Sequence, residues 1–297
     1  GLVLRVVLLV ADRVQLEGAK RKIQMSFTSQ DLRGLVVLVT GGGSGLGEAT
    51  TRLLHSRGAS IGILDMSLEK AQAIASSLPG GDARALPVVA DVTNSEQVEA
   101  ALDAIVAKFG GLHVAINCAG VGVVFPTITG GGPHDLDLYK FCINVNLIGT
   151  FNVSRLAAMR IVQTKKGVHD GRKAIINVAS AAGQEGQRGQ VAYAASKGGV
   201  IAMTLPMARD LGRYGVRVMC IAPGIIDTPL MANASDTVKD GLLNAVVAPR
   251  RFGAASEFAS LAIHCIENEY LNGETIRIDG AIRFPSGCKP WKKPSKL

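Results

Sequence analysis

Leu35-Val-Val-Leu-Val-Thr-Gly-Gly-Gly-Ser-Gly-Leu-Gly47 is the stretch that decides the fold. Leu35–Thr40 is short, apolar and rich in β-branched residues, the pattern of a strand buried on both faces. Glycines stop it, and residues 45–57 then carry the spacing of a helix. Strand, glycine-rich turn and helix in that order open a βαβ unit.

The alternation continues along the chain. Strands are expected at Ala59–Leu64, Ala85–Ala90, Val114–Asn117, Ala174–Ala179, Arg217–Ile221 and Thr275–Ile278. Helices are expected at Ser67–Leu78 with Ser67 as its cap, at Asn94–Phe109, and over residues 134–163, 190–214 and 254–267. Continuous apolar strands alternating with helices predict an α/β fold. Its core is a Rossmann-type, doubly wound parallel β-sheet with helices on both faces. Residues 34–283 read as a single domain, with an extension at 1–33 and a basic tail at 284–297. Met25, opening Met-Ser-Phe-Thr-Ser-Gln, reads as a native start. Residues 1–24 are then a targeting piece, an upstream translation or an artefact.

Charge distribution narrows the function classes. The 297-residue chain carries +8, but residues 1–24 supply +3 and residues 281–297 supply +5. The body between has 22 basic and 22 acidic residues, with no excess to form a nucleic-acid groove. No apolar run reaches the roughly 20 residues of a membrane span. Five widely spaced cysteines (118, 142, 220, 265 and 288), without a CxxC pair, indicate neither a metal site nor a disulfide framework. A reducing compartment is the reading they favour.

Gly41, Ser44, Gly45, Leu46 and Gly47 make the candidate phosphate cradle. The glycines permit positive φ and close backbone approach to a pyrophosphate, and the helix N-terminus offers unpaired N–H groups to it. Alone, such a loop is equally an ordinary turn; its place between strand and helix raises it above that. Asp65 ends the second strand about 20 residues later, where a carboxylate accepts the ribose hydroxyls of a dinucleotide. It would repel a 2′-phosphate, and Ser44 and Met66 offer that phosphate no cation, so NAD is favoured over NADP. Asp91 and Val92 follow the third strand in a position suited to adenine. Asn117, Cys118, Ala119 and Gly120 end the fourth, where small residues let ribose and nicotinamide lie against the backbone. Singly, each is also a plain strand terminator.

Tyr193 and Lys197 sit at i and i+4 on one predicted helical face. A core Tyr with a surface Lys is the plain alternative, but Ser180 just past the fifth strand completes an acid–base set. A phenol near pKa 10 is a weak base at neutral pH. A neighbouring ammonium and the positively charged nicotinamide are expected to lower it, so that Tyr193 takes the proton of an alcohol as hydride leaves carbon. Ser180 would hold the substrate oxygen, and Lys197 would also bind the nicotinamide ribose. Asn146 is a candidate anchor for a water joining Lys197 to solvent, or a plain core Asn.

Taken in order, TGGGSGLG, the Asp after strand two, ADV, NCAG, NVNLIG, Ser180, YAASK and APG at 222–224 resemble the motifs of the short-chain dehydrogenase/reductase family over residues 35–280. The resemblance implies a catalytic tetrad of Asn146, Ser180, Tyr193 and Lys197, with Pro223, Gly224 and Thr228 contacting the nicotinamide end of the cofactor. It also implies a homotetramer. Further stretches, such as DLDLYKFCINVNLIGTFNVSRL and LNGETIRIDGAIR, resemble a branch that oxidises 3-hydroxyacyl-CoA to 3-ketoacyl-CoA in β-oxidation and tolerates steroid alcohols. Gln187 would then hydrogen-bond a substrate carbonyl, and residues 225–250 would form a mobile substrate loop. Two alternatives stay open: a steroid or other carbonyl oxidoreductase with the same tetrad, and a scaffold in RNA processing whose catalysis is incidental. Ser295-Lys296-Leu297 reads as a peroxisomal address for an import receptor, although the branch it resembles is mitochondrial.

Overall fold

A computed structural model of the chain describes residues 31–284, except 166, 168, 233 and 234. The extension up to residue 30, Cys288 and the Ser295-Lys296-Leu297 end lie outside the described residues.

Seven strands form the main sheet: β1 Val36–Thr40, β2 Ser60–Asp65, β3 Ala85–Val89, β4 Val114–Asn117, β5 Ala174–Val178, β6 Arg217–Pro223 and β7 Thr275–Ile278. Their spatial order is β7-β6-β5-β4-β1-β2-β3, and every pairing is parallel. The helices are α1 Gly45–Ser56, α2 Leu68–Ser77, α3 Ser95–Phe109, α4 Leu136–Ile143, α5 Thr150–Gln163, α6 Val191–Gly212, α7 Pro229–Ala232, α8 Asp236–Ala245 and α9 Ala255–Glu267. This is the doubly wound α/β domain that the alternation predicts. The order reverses between β1 and β4, and a crevice for ligands opens at such a switch point beyond the strand carboxyl ends.

The period-two alternation of the strands explains the two cores. Val37, Val39, Ile61, Ile63 and Ile116 face one side, where Leu54 of α1, Ile74 of α2 and Phe258 of α9 cover them. Val36, Leu38, Leu64 and Ala115 face the other, against Leu102 and Ile105 of α3 and Leu156 of α5. Each wholly buried Leu or Ile contributes about 1.5–3 kcal/mol. Arg217 opens β6 with its guanidinium turned inward. It donates to the carbonyls of Cys265 at 2.7 Å, Ile266 at 2.7 Å and Leu271 at 2.8 Å, satisfying the open C-terminal end of α9.

One expectation is refined. The helix expected over 134–163 runs without a break from Leu136 to Gln163, but α4 and α5 are joined within it by a π-type turn at Asn144–Gly149. The 225–250 segment is built from α7, α8 and a two-residue pairing of Ile226–Asp227 with Gly253–Ala254. Thr127–Pro133 contains a small hairpin, Ile128–Thr129 against Gly132–Pro133. Among the described residues, no helix is long and apolar enough to cross a membrane.

Two predictions follow from this packing. At Gly62 of β2, an added Cβ would collide with the Cδ1 and Cγ1 atoms of the buried Ile105. Gly62→Ala should therefore cost about 1–3 kcal/mol, read as a lower melting temperature with unchanged oligomer size. At the opposite sheet edge, the Nδ1 of His113 accepts the N–H of Val36 at 3.1 Å. Burial, then the neighbouring His169 and Lys173, push its pKa down to about 4. The unfolded chain takes up this proton near pH 6.5 and the folded chain does not. Stability is full above pH 6.5 and falls as pH drops towards 4. In His113→Asn, whose amide oxygen can accept the same N–H, a plot of melting temperature against pH should be flatter across that window.

Candidate active site

Because the strands are parallel, their carboxyl ends lie along one edge; the glycine loop, Asp65, Asn117, Ser180 and Pro223 lie at or just past strand ends there, while Tyr193 and Lys197 come from α6 and Asn146 from the π-type turn. The glycine loop leaves β1 with Gly41 at φ +63° and Gly45 at φ +52°, backbone conformations that side chains other than glycine rarely adopt. A Cβ at Gly41 would stand 3.0 Å from the backbone of Ala119, and one at Gly47 would strike the Gly41 carbonyl. The Ser44 side chain does not cap α1, and the first helical bond runs from Glu48 N–H to the Ser44 carbonyl. The first-turn N–H groups thus have no acceptor within the helix. A cradle that a single methyl would fill, lined by unpaired donors at a helix N-terminus, fits a dinucleotide pyrophosphate.

Asp65 supports this loop as well as facing the crevice. Its Oδ2 accepts the Gly43 N–H at 3.1 Å and its Oδ1 the Ser67 N–H at 3.1 Å. Each oxygen keeps a further lone pair for a ribose hydroxyl. Across the crevice, Thr228 lies about one van der Waals contact from Gly45: a Cβ there would be 3.6 Å from it. Pro223 is the last residue of β6, and the Gly224 N–H donates to the Ile278 carbonyl at 2.9 Å.

Three of the cofactor-facing candidates have other engagements. The Asp91 carboxylate accepts both the backbone N–H and the hydroxyl of Thr93 at 2.8 Å. Val92 is buried against Gly149. Asn117 does not turn its side chain to the crevice at all. Its Nδ2 donates to Ser154 Oγ at 2.9 Å and Asn177 Oδ1 at 2.8 Å, in the buried layer between β4, β5 and α5. Only its backbone remains for a ligand, because a strand's alternation sends every second side chain to the far face. Ala119 N–H donates to Thr40 Oγ1 at 3.1 Å, which fixes the fourth strand's end against the first.

The tetrad candidates converge. The Lys197 ammonium is buried and donates to the Val178 carbonyl at 2.8 Å, with Tyr193's ring centroid 5.9 Å away. Burial pushes its pKa down to about 8. A Cβ on Gly120 would stand 3.0 Å from Asn146 Oδ1 and 3.4 Å from Lys197 Nζ, so the two side chains flank one point of the cofactor edge. Ser180 interacts with the Tyr193 phenol, and its Oγ accepts the Ala182 N–H at 3.1 Å. The Tyr193 phenol is pushed up by burial, while the Ser180 hydrogen bond acts the other way. This corrects the expectation that the nearby ammonium sets a lowered value. In the protein alone, desolvation of the charged form is the largest influence and sets the direction.

Asn146 lies within the π-type turn, fully buried. Its Oδ1 accepts the Val121 N–H at 2.7 Å, and its Nδ2 donates to the Val121 carbonyl at 2.9 Å and to Ser196 Oγ at 3.1 Å. Ser196 in turn donates to the Tyr193 carbonyl at 2.7 Å. The amide therefore staples the segment after Gly120 to the helix bearing Tyr193 and Lys197. Val121 and Ser196 were not picked out from the sequence, although Ser196 stands inside YAASK. Gln187 is half-buried in the loop after Ser180, its N–H donating to Gln190 Oε1 at 2.9 Å. Cys142, Cys220 and Cys265 are buried thiols and Cys118 is half-buried. The described residues hold no cluster of three metal-ligating side chains.

The sequence pattern of the short chain dehydrogenase family matches residues 35–239. The 3-hydroxyacyl-CoA dehydrogenase type-2 of Bos taurus is 46% identical over 262 residues, covering 88% of this chain and 99% of that protein. Its Homo sapiens counterpart is 45% identical over the same length and shares. The crystal structure of 3-hydroxyacyl-CoA dehydrogenase type-2 from Mycobacterium avium superposes with a TM-score of 0.79 at 39% identity, covering 88% of this chain and all of that one. With the glycine cradle and the Ser180–Tyr193–Lys197 group at one sheet edge, these likenesses lead to one conclusion: the chain belongs to the short-chain dehydrogenase family and is an oxidoreductase of the NAD(P)-using kind.

Proposed function

We propose that this protein oxidises the hydroxyl of a 3-hydroxyacyl-CoA to the 3-ketoacyl-CoA, and catalyses the reverse reduction, with NAD(H) as its cofactor. The observation that carries the reading is the convergence of Ser180, Tyr193 and Lys197 beside the glycine cradle. The substrate class is supported by near full-length likeness to relatives of that name. Asp65 at the end of β2, followed by the exposed Met66 rather than a cation, supports NAD over NADP.

Bound NAD supplies the acceptor for the hydride that leaves the hydroxyl-bearing carbon. The chain's own groups handle the proton. Ser180 Oγ hydrogen-bonds the substrate oxygen and orients it towards Tyr193. The Tyr193 oxygen takes the hydroxyl proton as the carbonyl forms, and returns it in the reverse direction. Lys197, whose pKa of about 8 makes both its protonation states accessible near neutrality, passes charge and proton between the phenol and the ribose side of the site. Asn146 keeps the Gly120–Val121 backbone and α6 at a fixed separation while this happens.

Purified protein should oxidise NADH in the presence of acetoacetyl-CoA, and should do so faster than with NADPH. Turnover of 17β-hydroxysteroids with none of the CoA ester would replace this substrate class by the steroid one. Tyr193→Phe should lower kcat by about 10²- to 10⁴-fold while NADH affinity, read by fluorescence, stays within about twofold. Unchanged turnover in that variant would remove Tyr193 from the proton path. Asp65→Asn removes the repulsion of a 2′-phosphate. The kcat/KM ratio of NADH to NADPH should then fall by about 5- to 150-fold, since one removed charge contact is worth about 1–3 kcal/mol.

A further inference from the structure

Ser180 and Gln187 lie in a connecting segment, 180–190, that leads into the helix bearing Tyr193 and has little structure of its own. It contains Gly183, Gly186 and Gly189, the last at φ +86°, and its only helical piece is the single 3₁₀ turn Ala181–Gly183. That turn is continuous with Ser180: Gly183 N–H donates to the Ser180 carbonyl at 2.9 Å, and the Gln184 and Glu185 N–H groups donate to the Ala181 carbonyl at 3.1 and 3.0 Å. A displacement of Gln184 or Glu185 is therefore passed directly to Ser180.

One side chain from the far edge of the sheet grips those two residues. Arg277 of β7 donates from Nη1 to Glu185 Oε1 at 2.6 Å and to Gln184 Oε1 at 3.0 Å. Its Nε donates to Asp279 Oδ2 at 2.7 Å, and its Nη2 to the Ile282 carbonyl at 3.2 Å. Arg283 adds a second ion pair to Glu185 at 3.3 Å. The Arg277, Glu185 and Asp279 side chains are 20%, 27% and 10% exposed, so this fork is largely out of solvent and is screened less than a surface pair. A planar guanidinium bound on several sides has one geometry, which a lysine or a lone ion pair does not impose.

The base of the grip is rigid. β7 pairs in register with β6 from Thr275↔Cys220 to Ile278↔Pro223, and Gly224 packs so closely on Asp279 that a Cβ there would stand 2.7 Å from the Asp279 Cβ. The Gly280 carbonyl accepts the N–H groups of Val247 and Ala248 at 3.0 and 3.2 Å, tying down the end of the 225–250 segment as well. The 180–190 segment has a second hold near its far end, where Phe125 N–H donates to the Gly189 carbonyl at 2.7 Å. Gln187 lies between the two holds.

We infer that Arg277 is a positioning residue for substrate: through Glu185 and Gln184 it sets the 180–190 segment, and with it Ser180 and Gln187, relative to the sheet edge that carries Pro223 and Gly224. The inference rests on the reading of Ser180 and Tyr193 as the reacting pair. It reaches the reaction through Ser180, without Arg277 touching substrate or cofactor.

The test compares the unsubstituted full chain with Arg277→Met, Arg277→Lys and Glu185→Gln. Two readouts are taken: steady-state kinetics with acetoacetyl-CoA and NADH, and amide hydrogen exchange. In Arg277→Met, exchange should speed up across 181–190 by about tenfold while the β-strands keep their protection. The KM for acetoacetyl-CoA should rise by about tenfold, with NADH affinity within twofold. Arg277→Lys and Glu185→Gln should fall between this variant and the parent. Exchange at 181–190 unchanged in Arg277→Met, or accelerated equally throughout the fold, overturns the inference and leaves Arg277 an ordinary structural ion pair. The exchange comparison does not depend on turnover. An unsubstituted protein inactive on the CoA ester would count against the proposed function alone, while the segment's protection still decides the role of Arg277.

Discussion

Lys197 carries an ammonium only 5% exposed, with the Val178 carbonyl as acceptor at 2.8 Å. A charge in that position is tolerable only while its partners stay in place, and desolvation has already brought its pKa to about 8. The surrounding architecture serves this requirement. β5 supplies the carbonyl, α6 the lysine and tyrosine, and the Asn146 amide binds the Gly120–Val121 backbone to Ser196 on α6. The same desolvation raises the Tyr193 phenol, so it rests protonated beside a lysine whose own pKa is pushed down to about 8.

The dinucleotide cradle depends on a different constraint, backbone proximity. Gly41, Gly47 and Ala119 approach so closely that no side chain fits between them, and Asp65 holds the loop through the Gly43 N–H. The carboxylate that would distinguish NAD from NADP is thus also a strut of the loop. On the proposed reading, cofactor preference and loop shape are coupled through this one side chain. A comparable economy holds on the substrate side, where the end of β7 braces Gly224, the 180–190 segment and the end of the 225–250 segment together.

The π-type turn at Asn144–Gly149 links these two halves. It sits where α4 meets α5, and Thr150 Oγ1 donates to the Asn146 carbonyl at 2.7 Å. Below it, Ser154 Oγ donates to the Thr150 carbonyl at 2.7 Å and receives Asn117 Nδ2 at 2.9 Å. A buried polar column therefore runs from the tetrad into the layer between β4 and β5. Such turns inside helices commonly occur at functional positions.

Periodicity alone determined the seven strands, the two-sided helical cover and the placement of Gly41–Gly47, Asp65, Ser180, Tyr193 and Lys197 at strand ends or on a helix face. These are local properties: alternation of two, a helical stripe, a glycine stop. What only the tertiary structure decided is how side chains are spent. Asn117 turns to Ser154 and Asn177 instead of the crevice, Asp91 folds back on Thr93, and Asn146 staples Val121 rather than standing free. Burial, not the nearby ammonium, sets the direction of the Tyr193 shift. Arg277 meets Glu185 across 92 residues of sequence. No local pattern encodes that pairing, because it exists only once β7 has taken its register beside β6.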